Sequence, residues 1–191
     1  MSKLLGVLWL SLVVSMGCAT QKAPAELAAK SLDSAVAAAQ PEVEKFAGEQ
    51  WAPINDGVTA VQKKLADGDF AGVLADVPVL TTQLSSATQA AAAKKATLAK
   101  AWADSAATPA MVSQVTARLI ELSAMRRLPA GMDTTQLDGA KASLGSVNKL
   151  WADASAASQS GDLVAAVAKA NEVKPMITSL MTSLGIAAPT T

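Results

Sequence analysis

Residues able to do nucleophilic or acid–base chemistry are few in this chain. It has one cysteine, Cys18, and no histidine. Without an imidazole, the Ser-His-Asp and Cys-His arrangements that activate a nucleophile cannot be assembled. Histidine is also the commonest metal ligand, and a single thiol cannot supply the several cysteines of a structural zinc site. We therefore expect no metal, no cofactor and no catalytic site of these classes.

A lysine-activated serine is the nucleophile pattern that remains. Ser146 and Lys149 have the Ser-x-x-Lys spacing of penicillin-binding proteins, but the companion motifs Ser-Asp-Asn and Lys-Thr-Gly are absent. The carboxylates of Glu42 and Glu44 are two residues apart and point to different sides of a helix. The sequence therefore favours a protein that is not an enzyme, and an enzyme that uses carboxylates or lysine alone is the less favoured alternative.

Cys18 directly follows a segment with the three parts of an export signal. Lys3 makes the first part positive, residues 4–14 form an apolar run, and small residues lead to the cysteine. The apolar run is shorter than the roughly 20 residues that a transmembrane helix needs. We therefore predict a signal peptide at 1–17 and no membrane-spanning helix in the mature chain.

The four residues Ser15-Met16-Gly17-Cys18 resemble the lipobox of bacterial lipoproteins. Gly17 and Cys18 match its last two positions, whereas Ser15 and Met16 stand where an aliphatic and a small residue are usual. The resemblance implies that the thiol receives a diacylglycerol, that a peptidase cuts before Cys18, and that the new amine is acylated. Several acyl chains hold a protein stably in the lipid bilayer, because each buried methylene contributes about 0.8 kcal/mol and one chain binds only marginally.

The residue after the cysteine bears on which membrane is used. Many lipoproteins kept at the inner membrane of Gram-negative bacteria have Asp at this position, whereas this chain has Ala19. The resemblance therefore implies a lipid anchor on the periplasmic face of the outer membrane. An ordinary signal peptide, cut after Gly17 or after Ala19, is the alternative.

Composition indicates the fold class. Apolar residues make up 51% of the chain and aromatic residues only 3%, and there is no Tyr. Much of the apolar share is Ala, the best helix former, and no segment alternates apolar and polar residues as a strand would. The full sequence has 16 Lys and Arg and 16 Asp and Glu; loss of Lys3 with the signal peptide leaves the mature chain with 15 basic and 16 acidic residues. The fold class is therefore all-α, and the near-neutral charge disfavours nucleic acid.

Apolar residues recur at spacings of three and four and predict an antiparallel bundle of five or six helices of unequal length. The predicted bundle domain covers 25–186, after a lipidated tether at 18–24 and before a flexible tail at 187–191. Pro41 either kinks a helix or opens a new one. One helix is predicted to end at Asp67-Gly68, with Asp69 as the cap of the next helix. Thr108 is predicted as a cap with Pro109 as the first helical residue, and that helix is predicted to end at Arg127 before the break at 128–131. A further helix is predicted to start at Thr134 or Thr135, followed by a turn at Gly161-Asp162 and a last helix that ends at Gly185.

Several short motifs occur twice. Gly68-Asp69-Phe70 and Gly161-Asp162-Leu163 each open a predicted helix, Lys-x-Trp-Ala-Asp occurs at 100–104 and 149–153, and Thr-Thr-Gln-Leu occurs at 81–84 and 134–137. A duplicated helical hairpin explains these echoes, and chance in an Ala-rich sequence is the alternative. The segment from Leu150 to Lys174 also resembles uncharacterised Ala-rich helical exported proteins of proteobacteria, which implies helices and export but no activity.

Three tryptophans, Trp51, Trp102 and Trp151, are the candidate interaction surface. In the simpler interpretation they fill gaps between Ala-rich helices; in the other, one or more is partly exposed near a helix end and binds a partner. The basic pairs at 63–64, 94–95 and 126–127 are typical of a solvated helix face, and one that faced a membrane could meet anionic headgroups.

These features favour a membrane-tethered helical module that binds another envelope protein or supports an envelope assembly. A carrier of a small apolar ligand in the bundle core is the second hypothesis, and it requires an internal apolar cavity. A carboxylate- or lysine-based enzyme is the third.

Overall fold

The structure is a computed structural model that describes the backbone of residues 5–187 and the side chains of residues 21–187. Its described residues form six α-helices and no strand: α1 (Leu5–Phe46), α2 (Gly48–Asp67), α3 (Phe70–Ala103), α4 (Thr108–Ala124), α5 (Thr134–Gln159) and α6 (Leu163–Ser183). The predicted all-α class with helices of unequal length is confirmed. None of the described helices is both long enough and apolar enough to cross a membrane.

The chain divides into two compact units, residues 1–94 and 95–191, so the range 25–186 predicted as one bundle domain includes parts of both. In the first unit α1, α2 and the first part of α3 enclose an apolar core. Its fully or largely buried members are Ala25, Ala29, Leu32, Val36, Val43, Ile54, Val61, Val73, Leu80, Leu84, Ala87 and Ala91. In the second unit α4, α5 and α6 enclose another. Its buried members are Val115, Leu119, Leu122, Leu137, Leu144, Val147, Val173, Ile177, Leu180, Met181 and Leu184.

Helix α1 is longer than its prolines suggest. Pro24 and Pro41 both lie inside it, and the helix continues past Pro41 to Phe46 before α2 begins at Gly48. A proline removes one backbone hydrogen bond and crowds the preceding turn, so packing must hold the helix together there. The buried residue Val43 supplies packing two positions after Pro41. Residues 21–24, predicted as part of a tether, are helical and exposed.

The turns before α3 and α6 have the same construction. Gly68 and Gly161 adopt the left-handed backbone conformation, with φ of 81° and 78°, which glycine reaches without steric cost. The carboxylates of Asp69 and Asp162 each accept a hydrogen bond from the amide three residues further on, at 2.9 and 3.1 Å. The amides of the same two residues donate to the carbonyl five residues earlier, at 2.9 and 2.7 Å, as in a Schellman motif. The predicted cap at Asp69 and turn at Gly161-Asp162 are therefore confirmed.

The helices on either side of these turns share a pattern of burial. Asp69 and Asp162 lie 93 residues apart, and the same spacing relates buried positions of α2 and α3 to buried positions of α5 and α6 and to Leu184 just after α6. The related pairs are Ile54 and Val147, Val61 and Ala154, Val73 and Ala166, Leu80 and Val173, Leu84 and Ile177, Ala87 and Leu180, and Ala91 and Leu184. Agreement in both the turn and the register is what a duplicated helical hairpin predicts. The echoes around Trp102 and Trp151 do not follow this spacing.

Two predicted boundaries in the second unit need correction. Thr108 is not a cap: it is the first residue of α4, it is buried, and the cap position is taken by Ala107, which has no capping side chain. Helix α4 ends at Ala124 rather than at Arg127. The amide of Met125 donates to one of the last carbonyls, Leu122 O, at 3.3 Å. The backbone of Met125 is extended, so the helix cannot continue through it.

Helix α5 begins at Thr134, one of the two predicted starts, but its cap is Asp133. The Asp133 carboxylate accepts from the Gln136 amide at 2.7 Å, and the Gln136 side-chain oxygen accepts from the Asp133 amide at 2.9 Å. This reciprocal pair is a capping box, and the spacing of Asp and Gln was its signal in the sequence.

We expect Asp69→Ala and Asp162→Ala each to lower the free energy of unfolding of their unit by about 1 kcal/mol, because one helix amide loses its acceptor. Urea unfolding followed by circular dichroism measures the change. The matched control is Asn at each position, which keeps a capping oxygen and should restore most of the loss. If Asn and Ala destabilise equally, the side-chain cap is not what stabilises these turns.

Candidate functional site

Of the three tryptophans, the structure brings two into contact. Trp102, near the end of α3, stacks on Trp151 of α5 with ring centroids 5.3 Å apart and planes inclined by 11°. Both rings are half-buried, and Trp151 also packs against the core of the second unit. Trp51 is half-buried on α2 against the core of the first unit. Contacts of this kind stabilise packing, and the partial exposure of all three also leaves ring surface for a partner, so both interpretations stay predictions.

The predicted lipid-attachment residue, Cys18, falls within the backbone range of α1, and its side chain lies outside the described residues. The first buried side chain in the described part of the chain is Ala25. Among the described side chains, packing in the first unit therefore begins at Ala25, after the residues that follow the cysteine directly.

The remaining candidates for catalysis are dispersed on helix surfaces. Ser146 and Lys149 are both exposed on α5, and the Ser146 hydroxyl donates to the Ala142 carbonyl of its own helix at 3.4 Å. Glu42 and Glu44 are exposed on α1. Among the side chains that the structure describes, no group of three or more acidic, histidine or cysteine residues is placed to hold a metal ion. These residues do not converge on one site.

A cleft of about 340 Å³ opens between α2 and α3 in the first unit. Pro53 and Ile54 of α2 form its apolar part. Polar, mostly uncharged side chains surround them: Glu49, Gln50, Thr82, Gln83 and Ser86. A smaller cleft of about 160 Å³ also uses Gln83 and continues along the same helix pair.

Gly57 explains how closely the two helices approach beside this smaller cleft. A Cβ atom at Gly57 would collide with the side chain of Leu80 on α3. Leu80 is largely buried, so its methyl groups occupy the space that a larger residue on α2 would need. A side chain at position 57 would therefore force the Leu80 side chain to shift, a contact between helices for which the position of Gly57 in the sequence offered no signal.

A second cleft, of about 580 Å³, opens between α5 and α6 in the second unit. Its apolar part comes from Ala140, Pro175, Met176 and Leu180, and its polar part from Gln136, Ser143, Ser179 and Ser183. No charged side chain lines it.

The two clefts lie at equivalent places on the two hairpins. The spacing of 93 residues that relates the turns also relates lining residues of one cleft to those of the other. The pairs are Gln50 and Ser143, Thr82 and Pro175, Gln83 and Met176, and Ser86 and Ser179. Each unit therefore presents the same face of its hairpin as an open cleft with an apolar part and a polar rim.

Ion pairs join the same helices. The ammonium nitrogen of Lys64 on α2 lies 2.7 Å from a carboxylate oxygen of Asp76 on α3. The ammonium nitrogen of Lys169 on α6 lies 3.5 Å from a carboxylate oxygen of Asp153 on α5. Asp76 and Lys169 occupy positions related by the spacing of 93 residues. The hydrogen bond to Asp76, with smaller contributions from the charges of Asp76 and Asp69, raises the pKa of Lys64 above its ordinary value of 10.5. Both side chains of that pair are 38% exposed, so the pair links the helices at the surface and does not activate the amine.

The described side chains line open clefts, and the candidate catalytic residues named above do not converge in them. The clefts of both units open to solvent, and the cores beneath them are filled by fully buried side chains such as Val61 and Val147. A comparison with known proteins finds no family model, no curated protein and no solved structure that matches the chain.

Proposed function

We propose that this protein is a lipid-anchored, non-enzymatic interaction module of the bacterial cell envelope. In this proposal Cys18 carries the acyl groups, on the periplasmic face of the outer membrane, and the helical units bind an envelope protein. The lipobox resemblance supports the anchor. The observation that supports binding most directly is the presence of equivalent clefts on the two hairpins.

The chemistry of the clefts favours an amphipathic helix of the partner as the bound element. The groove between two antiparallel helices accepts the side-chain ridge of a third helix, with anchors at spacings of three and four residues. Pro53 and Ile54 in one cleft, and Met176 and Leu180 in the other, offer apolar contacts for such anchors. The rims are mostly Ser, Thr and Gln, in keeping with the depletion of charge at the centre of protein interfaces. Because the two clefts present equivalent surfaces, the same kind of partner helix would fit either one.

A carrier of a small apolar ligand is the alternative function. Such a carrier needs a cavity that encloses most of the ligand surface. The clefts described above are open to solvent, which gives less support to a carrier than to a protein-binding module.

The anchor is tested by metabolic labelling with a palmitate analogue. We expect the wild-type protein to take up the label and to fractionate with membranes. Cys18→Ala should abolish labelling, because no second thiol exists in the chain, and release the protein into the soluble periplasmic fraction. Thr20→Ala, two residues away, is the matched control and should keep both properties. Absence of label in the wild-type protein would overturn the anchor.

The clefts are tested by photo-crosslinking in cells. A photoreactive amino acid placed at Gln83 or at Met176 should capture the same envelope protein, because these positions are equivalent. Thr59 on α2 and Ala156 on α5 are exposed and outside the clefts, so they serve as matched controls. Products at the two cleft positions no stronger than at the controls would count against the clefts as binding sites.

A further inference from the structure

The end of α4 exposes two large apolar side chains close together in sequence. Ile120 lies on the last turns of α4 and is 66% exposed. Met125 is the first residue after the helix and is 43% exposed. Ile120 also borders a cleft of about 610 Å³ between α4 and α5 that includes Leu119 and Leu144. A single exposed apolar residue is common on protein surfaces, so the charges beside these two side chains decide what they could bind.

Two cations directly follow these apolar residues. Arg126 and Arg127 are exposed in the segment after α4, and within the part of the chain that the structure describes neither guanidinium has an ion-pair or hydrogen-bond partner. The acidic groups nearby are already engaged. Glu121 pairs with Arg118 at 3.0 Å, and Asp138 pairs with Lys141 at 3.3 Å.

The third acidic group near this segment is Asp133, whose carboxylate caps α5 by accepting from the Gln136 amide at 2.7 Å. That amide is neutral, so the Asp133 charge offsets one arginine and the segment keeps a net positive charge of one. The other large apolar side chains that are exposed, Leu27, Val79 and Val164, stand singly on their helices. Only here does the described surface combine two of them with an unpaired pair of arginines.

We infer that the surface formed by Ile120, Met125, Arg126 and Arg127, the Ile120–Arg127 patch, binds the headgroup region of a membrane that contains anionic phospholipids. Each guanidinium can donate a pair of hydrogen bonds to a lipid phosphate. The side chains of Ile120 and Met125 can insert at the boundary between headgroups and acyl chains. The patch would then be a second membrane contact, independent of the acyl groups proposed at Cys18.

An acidic surface of a partner protein is the other binder that such a patch could attract. A lipid surface is favoured because Arg126 and Arg127 line none of the clefts described, and a headgroup layer requires charge and exposed apolar groups but no complementary shape. Binding to lipid should also weaken with ionic strength, because exposed charges are screened by salt.

The experiment uses the chain from Ala19 onward, which keeps every described side chain and lacks both the apolar segment and the thiol. Sedimentation with vesicles of phosphatidylcholine alone, or with 30% phosphatidylglycerol, measures binding. We expect binding only to the anionic vesicles. R126Q/R127Q should reduce the affinity about 25-fold, on the basis of about fivefold for each basic residue near such a surface. Adding Ile120→Ser to R126Q/R127Q should reduce the vesicle affinity further.

The matched control is K94Q/K95Q, which removes the same charge from another basic pair and should change vesicle affinity less than about twofold. Circular dichroism checks that each variant is folded. Equal losses in the two double variants, or equal binding to neutral vesicles, would overturn the inference. If R126Q/R127Q binds vesicles normally but loses a crosslinked protein in cells, the patch is a protein-binding surface instead. Labelling at Cys18 and crosslinking from Gln83 do not depend on these arginines, so the two proposals can fail separately.

Discussion

Ile177→Ala is expected to lower the free energy of unfolding of the second unit by about 3 kcal/mol, within the range of about 2 to 5 kcal/mol typical of such truncations. Ile177 lies on α6 with none of its surface exposed, in the core that also contains Val115, Val147 and Met181. Removal of its larger side chain forfeits apolar burial and leaves a cavity, since the packed helices α4 and α5 cannot fully close around the smaller residue.

Urea unfolding of the purified chain, followed by circular dichroism, measures this loss. Val164→Ala is the matched control on the same helix, because Val164 is 45% exposed, and it should change the stability by less than about 0.5 kcal/mol. Leu84→Ala, at the equivalent position in the first unit, should cost an amount similar to Ile177→Ala. Equal effects of Ile177→Ala and Val164→Ala would show that Ile177 does not lie on the core face of α6.

Ala154→Leu is expected to destabilise the second unit by about 1 to 3 kcal/mol, by overpacking instead of by loss of contacts. Ala154 of α5 and Ala166 of α6 are both completely buried near the turn that joins the two helices. Small side chains let the helices approach closely at this end of the hairpin. A leucine side chain at position 154 would not fit without displacement of α6. The helix propensity of leucine is close to that of alanine, so a change in propensity would not explain the loss of stability.

Ala156→Leu provides the control for that substitution. Ala156 is exposed on the same helix two residues further on, so the same chemical change there should leave the stability within about 0.5 kcal/mol. Thermal or urea unfolding compares the two variants. An Ala154→Leu protein as stable as Ala156→Leu would mean that a void beside Ala154 accepts the larger side chain.

Signals that act within a few residues were predicted well from the sequence. The cap at Asp69, the turn at Gly161-Asp162 and the helix end at Gly185 all depend on one side chain or one left-handed glycine. Their geometry is set by the local backbone, so the residue types alone indicate it. The predicted start at Thr134 is confirmed, and the cap at Asp133 has the same kind of local signal in the Gln three residues later, although Asp133 is not among the predicted caps.

Features that depend on distant residues were not predictable in this way. The sequence left open whether Pro41 ends a helix, because the answer depends on the packing of Val43 against α2 and α3. The stack of Trp102 on Trp151 joins residues that are far apart in the chain. The contact that a side chain at position 57 would make with Leu80 arises from another helix.

The amino-acid sequence by itself determined the all-α class and most helix boundaries, because propensity, capping and apolar spacing are properties of neighbouring residues. The resemblance to an export signal and lipobox around Cys18 is likewise a property of neighbouring residues, and it stays a prediction. Tertiary structure alone decided that the chain forms two units and that the α2–α3 and α5–α6 hairpins carry equivalent clefts. The repeated Gly-Asp turn hinted at duplication, but equivalence of the clefts depends on which helix faces remain uncovered. That is a property of packing between helices, and no local pattern specifies it.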